Sequence, residues 1–130
     1  MNRLTWIRGI VATGGIMYVL TALPMLFAPQ WFYDNIGNFP PFNRHFIGDL
    51  GTFTLPYGIM LLLALRTPAR HHLVIGSAAL ASLFHVLDHL YEHGATGQGA
   101  WWQTISLLVY AVALLWAWWA AWQMRKTQAA

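Results

Sequence analysis

Four long apolar runs dominate the chain, separated by short polar or proline-rich segments. A helix needs roughly 20 mostly apolar residues to cross a bilayer. The first run meets that length from Leu4 to Phe27. Pro24 and Pro29 set its end, because a residue preceding proline disfavours the helical region. The second runs from Asn43 to Leu65 and contains Pro56, which predicts a kink. The third extends from His72 to His93 and the fourth from Ala100 to Met124. The pattern therefore predicts an all-α fold. It is a single four-helix transmembrane bundle over residues 1–130, with spans at 4–27, 43–65, 72–93 and 100–124.

The connections differ in character. Ala28–Asn43 holds Pro29, Gly37, Pro40 and Pro41 among many aromatics, and reads as a long loop of the kind that often covers a site. Arg66–Arg70 contains Thr67-Pro68, a helix stop and restart. Gly94–Gly99 reads as a flexible loop. In the fourth run, Trp101 and Trp102 are separated from Trp116, Trp118, Trp119 and Trp122 by roughly 21–27 Å of helix, as a two-ended aromatic belt requires. Small residues at Gly9, Thr13, Gly48, Gly51 and Gly76 offer places for close helix contact.

Composition strengthens the membrane reading. The chain is 58% hydrophobic and 8% charged, against about a quarter charged for a soluble domain. Arg3 and Arg8 precede the first run as in a signal peptide, but the run outlasts a signal core of roughly 7–15 residues and predicts a retained span. The net charge of +3 does not indicate nucleic-acid binding, because the bases form no stripe. Four spans place both termini on one side, together with Arg3, Arg8, Arg66, Arg70, Arg125 and Lys126. Only Arg44 lies opposite. The positive-inside rule makes the termini cytoplasmic and sends residues 28–43 and 94–99 to the periplasm or exterior of a bacterial inner membrane.

All four acids, Asp34, Asp49, Asp88 and Glu92, fall near the outer ends of these spans. Ionisable groups inside a membrane are costly and usually functional. His85, Asp88, His89 and Glu92 recur at i, i+3, i+4 and i+7, a narrow stripe on one helix face that should point into the bundle. His45 and Asp49 share a face of the second span. A short inner connection makes the second and third spans neighbours, which brings the two groups to one level.

Imidazole with carboxylate suits a transition metal such as zinc, iron or copper. The expected ligands are His45, Asp49, His85 and His89. Asp88 is a fifth donor or orients an imidazole. Asp88 and Glu92 are the candidates for acid–base chemistry. Glu92 and His93 read equally as outer ligands or solvated groups. Arg44 could pair with Asp49 or Asp34 and compete with metal. A His–Asp network without metal satisfies the same residues. A haem held by His45 and either His85 or His89 fits less well, because carboxylates crowd the same imidazoles. There is no cysteine, hence no thiolate ligand or disulfide, and no phosphate-loop or nucleophile-elbow motif. The outer aromatics Trp31, Phe32, Tyr33, Phe39, Phe42, Phe46, Trp101 and Trp102 read as interfacial anchors or as a lid over a pocket.

Leu26 to Glu92 resembles a group of small bacterial four-helix membrane proteins, loosely DoxX-like. The resemblance rests on FAPQWFYDNIG in the first outer segment, NRHFIGDLG opening the second span and HVLDHLYEH closing the third. The group's Asn-x-His-x-x-x-Asp-x-Gly element is matched by Asn43, His45, Asp49 and Gly51. Its His-x-x-x-His is matched by His85 and His89. Gly48 stands where some relatives carry an arginine. The resemblance implies the four-helix fold and no particular activity.

Three functions are compatible with these residues. The first is a metal site facing the periplasm, as a binding protein or as an enzyme acting on a lipophilic molecule from the bilayer. The second is metal-ion or proton binding and transport, although the inner halves of the spans offer little beyond Thr13, Thr54, Ser77 and Ser82. The third is a non-catalytic subunit of a membrane complex, or a homo-oligomer.

Overall fold

A computed structural model of the protein describes residues 2–37, 39–97 and 101–129. It contains helices α1 (Arg3–Phe27), α2 (Pro29–Asn35), α3 (Arg44–Ala64), α4 (His72–Thr96) and α5 (Trp101–Ala129), with no strand among the described residues. The fold is all-α, as the apolar runs predict. The four helices other than α2 are long and apolar enough to cross a membrane. Only 22–33% of the most apolar window of each is buried within the chain. The remaining apolar surface, including Phe53, Leu73, Phe84 and Val109, is exposed. In a bilayer that surface costs nothing to expose to lipid.

Three boundaries differ from the sequence expectation. Ala28–Asn43 is not all loop, because α2 forms within it. Pro29 starts α2 with its φ already helical, and Phe32 is buried against Met25 and Ile47. α4 continues to Thr96 and ends at Gly97, whose left-handed φ of 68° lets its N–H bond the His93 carbonyl. Gly94–Thr96 are thus helical, and the rest of the expected flexible loop, Gln98–Gly99, lies outside the described residues, as does Ala100. Finally, α5 runs to Ala129 instead of ending at Met124. Pro24 does not stop α1, since its carbonyl still accepts the Ala28 N–H at 2.9 Å. α3 likewise continues through Pro56.

The chain forms two compact units. One comprises Met1–Val11 and Ala64–Ala130. In it α4 packs on α5. Ile75, Ala79, Ser82 and Val86 form the buried line of α4, and Ala111, Leu114, Ala117 and Ala121 lie buried on α5. Alanine on both helices permits close approach, and the Ser82 hydroxyl is satisfied by the Ala78 carbonyl at 2.9 Å. A Cβ on Gly76 would lie 2.6 Å from the Trp118 indole, so the ring occupies the space that glycine leaves.

The other unit is Ala12–Leu63. Here α1 and α3 meet almost backbone to backbone. A Cβ on Gly58 would lie 2.9 Å from the Val19 nitrogen and 3.0 Å from the Gly15 carbonyl oxygen. Gly51 packs instead on the side chains of Met25 and Leu26. Of the small residues singled out from sequence, Gly51 and Gly76 mark close contacts, whereas Gly9 and Gly48 face open space.

Candidate functional site

The histidine chemistry of the first unit follows from the 3.6-residue turn. His85 and His89 are one turn apart on α4, and their Nε2 atoms approach to 3.2 Å. Their rings are 4.9 Å apart and inclined at 57°. Two unprotonated Nε2 atoms would direct lone pairs at each other. This approach therefore requires a proton on one of them or a cation between them. The stripe does not point into the interior as expected. The buried line of α4 passes through Val86, while His85 and Asp88 are exposed and His89 and Glu92 half-buried beside it. Val86 fills the interior at no desolvation cost, whereas an imidazole or carboxylate there would need a partner.

His93, one turn further on, has a different role. Its ring lies flat on Trp101, with centroids 4.2 Å apart and planes 6° from parallel. Its Nε2 is 2.9 Å from the buried Thr104 hydroxyl. His93 is therefore partly buried, with its Nε2 engaged by Thr104. It joins α4 to the start of α5.

In the second unit, His45 and Asp49 share a face of α3, as their spacing predicts. His45 Nε2 lies 3.4 Å from Asp49 Oδ2. The two side chains are 89% and 55% exposed, so without a membrane or ligand around it this pair is weak. No ion pair of Arg44 with Asp34 or Asp49 occurs among the described residues; Asp34 accepts from Gln30 Nε2 at 3.0 Å. Of the outer aromatics, Phe32 is core rather than lid. Tyr33 meets Phe42 edge-on at 5.3 Å. Trp31, Phe39, Phe46, Trp101 and Trp102 are exposed, as interfacial anchors would be.

Among the described residues, no three His, Asp or Glu side chains gather as a ready metal cage. What the structure does present is two donor pairs, each on one helix, with donor atoms 3.2 Å and 3.4 Å apart. No known protein family, curated protein or solved structure matches the chain.

The remaining histidines are structural. His71 Nδ1 sits 3.1 Å from the Thr67 hydroxyl and 3.0 Å from its carbonyl, closing the turn before α4. His72 is buried, with Nδ1 3.1 Å from the Ala69 carbonyl. That contact places the proton on Nδ1 and leaves Nε2 to accept from Arg125 Nη1 at 3.3 Å. Both lie at the arginine-rich end, as the sequence indicates. The links His93–Thr104 and His72–Arg125 have no sequence signature, because they depend on the register of α4 against α5.

Proposed function

We propose that this multi-pass membrane protein binds a transition-metal ion through His85 and His89. The observation that carries the reading is the 3.2 Å separation of the two Nε2 atoms. Two imidazole nitrogens on one tetrahedral zinc, each at about 2.0–2.1 Å, are roughly 3.3–3.4 Å apart. The pair is thus already spaced for one ion. Asp88 and Glu92, each three residues after one of the histidines, are the carboxylates placed to orient a ligand or accept a proton from bound water. Positions on the ion not taken by protein remain open to water or to a lipophilic substrate entering from the bilayer.

His45 and Asp49 form a second donor pair on α3, 3.4 Å apart, and are a separate candidate. The ligand pair lies 13–17 residues along α4 from His72, roughly 20–26 Å. The histidines therefore belong to the membrane surface opposite the arginine-rich end. By the positive-inside rule that surface is the periplasmic face of a bacterial inner membrane.

Titration of zinc, copper and cobalt into metal-free protein tests this reading. One equivalent should bind to the native chain and none to His85→Ala/His89→Ala. A His45→Ala/Asp49→Ala variant reads separately whether that pair binds metal of its own. Equal binding to the native chain and to the His85/His89 variant would refute the proposal. The same Nε2 contact also suits a shared proton, and absence of any metal binding by folded native protein would favour that reading.

A further inference from the structure

Three arginines border one cavity of about 320 Å³. Arg8, Arg66 and Arg70 line it with Leu4, Thr67 and Met124, where the start of α1, the α3–α4 turn and the end of α5 come together. Arg8 is held in place. Its Nε donates to the Leu65 carbonyl at 3.0 Å and its Nη2 to the Arg66 carbonyl at 3.2 Å. These bonds engage two of the five guanidinium donors and fix the charge toward the turn.

Nothing anionic in the described residues neutralises this group. The ion pair they contain is His45–Asp49. The acids of α4, Asp88 and Glu92, begin roughly 24 Å along the helix from His72. Arg66 and Arg70 are exposed and lack a carboxylate partner. The end is also interfacial. Arg3 lies 5.0 Å from the Trp119 ring and Lys126 3.5 Å from the Trp122 ring, an arrangement suited to headgroup depth.

We propose that this cavity binds the phosphate of an anionic phospholipid, with Arg8 as the fixed contact and Arg66 and Arg70 as clamping cations. Guanidinium matches phosphate oxygens bidentately. A basic recess between membrane helices is suited to a charged headgroup, while the adjoining apolar surface accepts the acyl chains. An anionic lipid is preferred to a zwitterionic one because the recess holds three positive charges and, among the described residues, no compensating carboxylate side chain.

Native mass spectrometry of the full chain tests this, released from micelles containing equal phosphatidylglycerol and phosphatidylcholine. One retained phosphatidylglycerol in preference to phosphatidylcholine is expected. Arg66→Gln/Arg70→Gln should weaken its retention roughly 30-fold, at about fivefold per arginine near a membrane surface. Arg44→Gln should not weaken it. No preference in the native chain would overturn the proposal, and that comparison does not depend on the variant folding. Full retention by folded Arg66→Gln/Arg70→Gln would also overturn it. So would displacement of the lipid by millimolar inorganic phosphate, which would make the free anion the ligand.

Discussion

His93 lies flat against Trp101 at 4.2 Å, and its Nε2 meets the Thr104 hydroxyl at 2.9 Å. One turn earlier, His89 turns its Nε2 toward His85 instead. Three histidines spaced four residues apart thus divide into a facing pair and a helix-to-helix fastening. The division arises because His93 lies nearly in line with Val86, on the side of α4 that meets α5, whereas His85 and His89 lie beside that line.

His93→Ala should therefore destabilise the protein without altering its metal content. A lost hydrogen bond costs about 0.5–1.5 kcal/mol, and a lost ring stack a similar amount. Thermal unfolding in detergent should show a lower Tm, with an interaction energy between His93→Ala and Thr104→Val in a double-mutant cycle. Additive effects of the two substitutions would argue against the contact.

The glycine contacts give a prediction with an internal control. Gly76→Leu must displace the Trp118 indole, and Gly58→Leu must separate two backbones. Each should cost about 1–3 kcal/mol as overpacking. Gly9→Ala meets nothing within 4 Å and should leave Tm unchanged or slightly raised. The check is a comparison of the three Tm values in one detergent.

Much of this was legible in the sequence, and the exceptions have a common cause. Hydropathy alone locates the four membrane-length helices, and the four-residue spacing alone pairs His85 with His89 and His45 with Asp49. The helix α2 was not legible, because its segment is rich in proline and aromatics and it is held by Phe32 packing on Met25 and Ile47. Gly15 and Gly58 make the closest backbone approach, yet nothing in the sequence separates them from Gly9 or Gly48. His93, likewise, is distinguished only by what α5 places opposite it. Each missed feature depends on the register of one element against another.

The α2 anchor makes its own prediction. Phe32→Ala removes the buried ring that ties α2 to α1 and α3, at a cost of about 3–5 kcal/mol if fully felt. Protease cleavage within residues 29–43 should accelerate, while Trp31→Ala, which removes an exposed ring, should not accelerate it. Equal cleavage rates would show that Phe32 does not hold the segment.

Protons must compete with metal at the His85–His89 pair, because an imidazole binds a metal only when unprotonated. If His85 and His89 ligate the ion as proposed, affinity should fall as pH is lowered, because each proton bound displaces the metal from its imidazole. Zinc titrations at a series of pH values check this, and an affinity independent of pH would contradict imidazole ligation.

The most direct measurement is elemental analysis of untagged protein purified without chelator, alongside His85→Ala/His89→Ala prepared identically. Metal binding by the facing imidazoles predicts close to one transition-metal ion per chain in the native protein, and none in the variant at unchanged helical content. Metal-free native protein, or metal retained undiminished in the variant, would contradict it.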